Sequence, residues 1–128
     1  MLREGFRNVL LTHAGHEPDP GVLAAFDTAL ADLPVRLTFD AAGVRLVSAR
    51  PDPVGRAFAQ LLDAVRETSQ DGTWPRLKVC ARDTCRWAFY DAARNQVRRW
   101  CSRAGCGNYV KMRRASAARK GRTGNTLS

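Results

Sequence analysis

The sequence contains no uninterrupted apolar run that approaches the roughly 20 residues needed to cross a membrane, so we expect no membrane span. Its N-terminus carries an early acid, Glu4, and no long apolar segment, so no secretory signal is expected either. These two absences predict a cytoplasmic protein whose thiols stay reduced. At 128 residues, the chain has room for one ordinary domain, or for a small domain and a metal-stabilised module.

Acidic residues are scarce in the C-terminal part of the chain. Residues 75–128 hold 14 Lys and Arg but only 2 Asp and Glu, a net charge of +12. Residues 1–74 hold 7 and 10, a net charge of −3. This asymmetry indicates a polyanionic partner, with nucleic acid ahead of an anionic membrane. The alternative is a solvated basic tail.

Signatures of catalysis are also missing from the sequence. We find no Gly-rich phosphate loop, no nucleophile–base pair, no paired carboxylates and no open metal site, so we predict neither an enzyme nor a small-molecule substrate. His13 and His16 are three residues apart and could share a helix face. A His exposed near a helix end is the commoner explanation, and we do not expect this pair to bind a metal.

Hydrophobic periodicity predicts the order α-α-β-β-α for the N-terminal part, residues 1–73. Two Asp-Pro pairs have the pattern of an N-cap followed by proline in the first helical turn. Alternating apolar residues around Ala41-Ala42-Gly43 predict a hairpin. The predicted elements are a helix over 2–13, a helix from Asp19-Pro20 to Pro34, strands over 35–39 and 44–46, and a helix from Asp52-Pro53 to Asp71-Gly72.

The C-terminal part has a different texture. Leu77 and Val79 lead into the first cysteine, and apolar residues in 87–90 and 97–100 predict two short strands around a turn at 92–95. Residues 108–120 are rich in Ala, Arg and Lys and predict a helix. Residues 121–128 are small and polar, and we expect them to be disordered.

All four cysteines follow one pattern: two pairs with four-residue gaps, separated by fifteen residues. This arrangement is typical of a tetrahedral Zn²⁺ site, and the predicted ligands are Cys80, Cys85, Cys101 and Cys106. Four thiolates leave no position for water or substrate, so such a metal is structural. The alternatives are two disulfides, which the reduced compartment disfavours, or an iron–sulfur or redox site. Arg82, Arg86 and Arg103 lie beside ligands and can offset the negative charge.

Aromatic residues surround the predicted site. Trp87, Phe89 and Trp100 could stack on bases, but aromatics beside zinc more often form its small core. We assign Trp100 and at least one of the other two to that core. Asp91 is expected to be structural, either capping the turn at 92–95 or pairing with Arg94.

These residues resemble the CGNR zinc-finger family over about residues 76–119. The resemblance rests on the four cysteines with an F-x-D element (Phe89 to Asp91), an R-R-W-C-S element (Arg98 to Ser102), and a C-G-N start of a basic helix at Cys106. Residues 1–74 resemble, more vaguely, the latter part of the ABATE domain that usually precedes this finger. The fold class is therefore expected to be α+β: an ABATE-like part over 1–73, shorter than the N-terminal domain that family members usually carry, and a treble-clef-like finger over 74–120.

The resemblance implies a bacterial transcription regulator that binds duplex DNA through the finger, associated with the nucleoid. It also implies that the four cysteines hold Zn²⁺. The family's arginine after Cys-Gly-Asn is Tyr109 here, so one family contact is lost or replaced. With Asn108 as an N-cap, the basic helix would enter the major groove. RNA binding and protein docking remain as alternatives, and a homodimer is possible. The predicted nucleic-acid contacts are Arg98, Arg99, Asn108, Tyr109, Lys111, Arg113 and Arg114.

Overall fold

The computed structural model describes residues 1–123 and confirms the α+β class. It has four α-helices and two small antiparallel sheets of two strands each within these residues. No helix within residues 1–123 is long and apolar enough to cross a membrane. The elements are α1 (Leu2–His13), α2 (Pro20–Ala31), β1 (Val35–Asp40), β2 (Gly43–Ser48), α3 (Pro53–Asp71), β3 (Leu77–Val79), β4 (Ala88–Tyr90) and α4 (Asn108–Thr123), with a 3₁₀ turn at Trp74–Arg76 and a π-helical turn at Arg103–Gly107.

Both predicted helix caps are present in the N-terminal part. The Asp19 carboxylate accepts hydrogen bonds from the amides of Gly21 and Val22, at 2.8 and 3.2 Å, with proline in the first turn of α2. Asp52 does the same for α3 through the Gly55 amide at 2.8 Å. The predicted order α-α-β-β-α is confirmed. The starts of α2 and α3 could be predicted because short-range capping chemistry decides where these two helices begin.

Helices α1 and α2 pack against each other, and α1 also packs against the cysteine-bearing part. Phe6 and Phe26 meet edge to face, with ring centroids 4.9 Å apart. The His13 ring lies 5.2 Å from that of Trp74, and its Nδ1 is 2.7 Å from the Leu77 carbonyl oxygen. His13 therefore joins α1 to β3. His16 lies beyond the end of α1, so the two histidines do not share a helix face.

Helices α1 and α2 approach each other closely at Gly5. A Cβ placed on Gly5 would lie 2.2 Å from Phe26 Cδ2, well inside contact distance. Gly5→Ala should therefore lower the unfolding free energy by about 1–3 kcal/mol, because overpacking outweighs alanine's better helix propensity. Thermal unfolding would measure this as a fall of several degrees. Gly121→Ala is the matched control, since a Cβ there meets no atom within 4 Å. An unchanged melting temperature for Gly5→Ala would contradict the packing.

Helix α3 lies along the outer edge of β2. The register of the hairpin pairs Leu37 with Leu46 and Phe39 with Val44. The Leu46 amide donates to the Asp63 carboxylate at 2.8 Å, and this bond, followed by Arg66, lowers the pKa of Asp63. The hairpin is thus fastened to the rest of the molecule through β2.

Only the first of the two strands predicted for the C-terminal part is present, as β4, and the predicted pairing between the two is wrong. β4 pairs with β3, with Lys78 opposite Phe89, and residues 97–100 form no strand. The Arg98 amide is instead bonded to Asp91 Oδ2, and the Arg99 carbonyl accepts from the Ala81 amide. Helix α4 continues to Thr123, three residues past its predicted end. The rest of the predicted disordered tail, 124–128, lies outside the described residues.

Candidate metal centre and nucleic-acid interface

The first two cysteines sit on the turn between β3 and β4. The Cys80 amide donates to the Trp87 carbonyl at 2.8 Å and the Cys85 amide to the Arg82 carbonyl at 2.9 Å. Arg86, directly after the second cysteine, has a left-handed φ of +51°, which closes the turn. The strand pair and this turn bring both thiols to one side of the backbone.

Of the other two cysteines, Cys101 precedes the π-helical turn Arg103–Gly107 and Cys106 lies within it. Ser102 is the N-cap of this turn, because its hydroxyl accepts from the Gly105 amide at 3.0 Å. Asn108 already has helical angles, φ −65° and ψ −41°, so the prediction that Asn108 caps α4 is wrong. Gly107 has little space for a side chain, because a Cβ there would lie 3.0 Å from Trp100 Cδ1.

The four thiols converge on one point. All four sulfur atoms lie within 4.8 Å of one another, and Cys101 Sγ is 3.7 Å from both Cys85 Sγ and Cys106 Sγ. A tetrahedron with metal–sulfur bonds of about 2.3 Å has sulfur–sulfur edges of about 3.8 Å. A disulfide would need about 2.05 Å, so the cysteines are unpaired thiols. The cluster can hold a single metal ion.

Burial and the neighbouring thiols make Cys101 difficult to ionise without a cation. Burial, followed by hydrogen bonding with the Cys106, Cys85 and Cys80 thiols, raises the pKa of Cys101 to about 12. Four thiolates at this spacing would repel one another strongly. A divalent ion removes that penalty, and its binding releases the thiol protons.

Arg82 supplies the nearest fixed positive charge. Its Nη1 lies 3.8 Å from Cys106 Sγ, and that contact is the main reason that the pKa of Arg82 is raised. Its guanidinium also lies 3.7 Å from the centre of the Tyr109 ring. Arg82 therefore offsets ligand charge as predicted, whereas Arg86 donates to Asp83 at 2.9 Å.

A comparison with known protein families matches residues 76–120 to the CGNR zinc finger. Residues 76–120 form a CGNR zinc finger. The match contains all four cysteines and most of α4, and it does not extend to the N-terminal part, so the ABATE resemblance stays a prediction. A search of curated proteins finds no match.

Beside the metal centre, the CGNR finger contains a buried ion pair that the sequence did not reveal. Asp91 is fully buried, and it accepts hydrogen bonds from Lys78 Nζ at 2.8 Å and from the Ala93 and Arg98 amides at 3.0 and 3.1 Å. Burial alone would raise the pKa of Asp91, but these three donors outweigh it and the pKa lies below its usual value. The turn-capping role predicted for Asp91 is correct, but its ionic partner is Lys78 instead of Arg94.

The aromatic residues of the CGNR finger divide as expected. Trp100 is half-buried against Gly107, and Phe89 is half-buried with the Arg98 guanidinium 5.0 Å from its ring centre. Trp87 is 68% exposed. The finger therefore uses two of these rings for packing and leaves one facing solvent.

The predicted nucleic-acid contacts fall into two groups. The Arg98 guanidinium is engaged in hydrogen bonds within the finger, because it donates to the carbonyls of Trp100 and Cys101. Tyr109 is covered by Arg82 on its ring, and its hydroxyl accepts from Arg113 at 3.3 Å. The remaining contacts are exposed on the surface of the finger: Arg99, Asn108, Lys111, Arg113 and Arg114.

A basic cleft separates the cysteine turn from α4. It encloses about 350 Å³ and contains four guanidinium groups, from Arg82, Arg99, Arg113 and Arg114. Its one carboxylate, Asp83, is 89% exposed and paired with Arg86. Three of these arginines are among the predicted nucleic-acid contacts, but the sequence alone did not show that they surround one cleft. The arrangement can receive an anionic group such as a phosphate.

Proposed function

We propose that the protein is a DNA-binding transcription regulator in which a structural Zn²⁺ ion orders the CGNR finger. Thiolate ligands, tetrahedral spacing and the absence of any open coordination position among the four favour Zn²⁺ in a structural role. The ion would fix the start of α4 relative to the cysteine turn. The finger would then present α4 to the major groove of duplex DNA.

The observation that supports DNA most strongly is the surface of α4. This helix has sixteen residues and is about 24 Å long at 1.5 Å per residue, enough to cross a major groove of about 12 Å. It contains six Lys and Arg and no acid, and residues 111–122 are all exposed. An exposed helix that carries positive charges and no negative ones is suited to the phosphates of a polyanion.

The distribution of charge around α4 suits a groove better than a flat surface. At 100° per residue, Lys111 and Arg114 lie on one side of the helix and Arg113 lies on the other. A helix inside the major groove has a phosphate strand on each side, so charges on both sides can be neutralised. The basic cleft at the base of α4 extends this surface toward Arg99.

Replacing Lys111, Arg113 and Arg114 together by Ala is the direct test. Wild-type affinity for duplex DNA should fall steeply with salt, by about 0.9 log units per log unit of salt for each phosphate contact. If all three side chains contact phosphate, the triple variant should bind more weakly and its salt slope should be shallower by about 2.7. Fluorescence anisotropy over a series of salt concentrations measures both quantities.

A control variant loses the same charge elsewhere. Arg3, Arg7 and Arg56 are in α1 and α3, and their replacement by Ala should leave affinity and salt slope nearly unchanged. An absence of duplex binding at low salt would refute the proposal. Preference for single-stranded RNA in competition would favour RNA binding, and retention of a protein partner after nuclease treatment would favour protein docking.

A further inference from the structure

The free edge of β1 is the most exposed backbone edge in the hairpin. Five of the six β1 residues are exposed, with Leu37 at 56% and Phe39 at 77%. The opposite edge, on β2, is covered because Asp63 of α3 accepts from the Leu46 amide. A two-stranded ribbon is marginal by itself, and an open apolar edge is a template for another strand.

The hydrogen bonds of the hairpin show which β1 groups face outward. The Ala49 amide donates to the Pro34 carbonyl at 2.9 Å, so this pair bonds across the hairpin, whereas the Leu46 amide points away from β1. Because bonded and non-bonded pairs alternate along an antiparallel ribbon, the amides and carbonyls of Val35, Leu37 and Phe39 point to the free edge.

We infer that this edge pairs with the same edge of a second copy of the chain, in antiparallel orientation about a twofold axis at Thr38. In this register Leu37 lies opposite Phe39 of the second copy and the two residues exchange backbone hydrogen bonds, four in total by symmetry. The apolar side chains of each pair lie side by side on one face of the resulting four-stranded sheet.

Charge selects this register over its neighbours. With Thr38 on the axis, Arg36 lies directly opposite Asp40 of the second copy, twice by symmetry, in pairs that do not exchange backbone bonds and so bring side chains closest. Shifting the axis to Leu37 places Arg36 opposite Thr38, and shifting it to Phe39 places Arg36 opposite Ala42. Arg36 has no ion-pair partner within residues 1–123, so it is available for this contact.

A cysteine at the axis tests the register. Opposed non-bonded residues have Cα atoms about 4.5 Å apart, within the range of a disulfide. Thr38→Cys should therefore give a covalent dimer under mild oxidation in the zinc-loaded protein, removed by reductant. Arg36→Cys is the matched control, since the two copies of position 36 would lie four residues apart along the strands, about 13 Å, and should not crosslink. Equal crosslinking of both variants would overturn the register.

A charge exchange tests the association itself. We expect a concentration-dependent dimer of the full chain in sedimentation, a monomer for Arg36→Asp and for Asp40→Arg, and a dimer again when both changes are combined. Asp40→Asn keeps an acceptor for the Ala42 amide and should also weaken the dimer. This variant distinguishes the loss of the negative charge from a loss of turn stability. Arg56→Asp, an exposed control on α3, should remain dimeric. The inference would be overturned if the wild-type chain stayed monomeric at concentrations up to roughly 1 mM, or if the Arg36→Asp variant dimerised as strongly as the wild type.

Discussion

Cys106→Ala is expected to abolish metal binding and to unfold the CGNR finger. Cys106 is buried, and its sulfur completes the cluster beside Cys101 and beneath Arg82. Structural Zn²⁺ contributes on the order of 10–16 kcal/mol of apparent binding free energy near neutral pH, more than a segment of this size gains from its own core. Metal content should fall from one ion per chain to near zero, and tryptophan near-UV circular dichroism should weaken.

Ala104→Ser is the control for this variant, because Ala104 lies on the same turn and is exposed. It should retain one ion per chain. Co²⁺ substitution gives a second measurement, since four thiolates around Co²⁺ produce the visible absorption of a tetrahedral centre. A Cys106→Ala protein that binds one ion with unchanged affinity would show that the metal uses another set of ligands.

Asp91→Ala should cause the second-largest loss of folding stability, although Asp91 touches no cysteine. The change leaves the Lys78 ammonium buried without its carboxylate, and breaking such a pair costs about 3–5 kcal/mol. It also frees the Ala93 and Arg98 amides, so the segment leading to Cys101 loses its anchor. Urea unfolding of the zinc-loaded protein should show the destabilisation, and metal affinity should fall with it.

Asp83→Asn is the appropriate comparison, since Asp83 is an acid of the same finger in an exposed ion pair. Its loss should cost less than about 1 kcal/mol. Combining Lys78→Met with Asp91→Ala should cost less than the sum of the two single changes, because the double variant leaves no buried charge unpaired. Additive losses would mean that Lys78 and Asp91 act independently.

The features that local chemistry decides could be predicted from the sequence. Asp19 and Asp52 cap helices through amides two or three residues away, and Gly72 ends α3 with a left-handed φ of +79°. Such signals need no knowledge of the rest of the chain. The cysteine spacing likewise contained enough information to place four ligands around one ion, because each pair depends on one tight turn.

Prediction failed where distant contacts decide the structure. Residues 97–100 have the composition of a strand, yet the Asp91 carboxylate bonds the Arg98 amide and β4 finds its partner in β3. Asn108 has the chemistry of a cap, but the chain is already helical from Arg103, directly after the N-cap Ser102. Lys78 and Asp91 are thirteen residues apart, and their pairing depends on the strand register that the sequence alone did not reveal.

The π-helical turn runs directly into α4, so the first turn of α4 sets the direction of the whole helix. Tyr109, whose ring is covered by the Arg82 guanidinium, lies in this first turn. For a rod of about 24 Å, a tilt of 10° at the base moves the far end by about 4 Å, which exceeds the reach of a hydrogen bond. Small displacements of the four sulfur atoms would therefore be magnified at the far end of α4, and an ion that fixed the sulfur positions would also fix the direction of the helix.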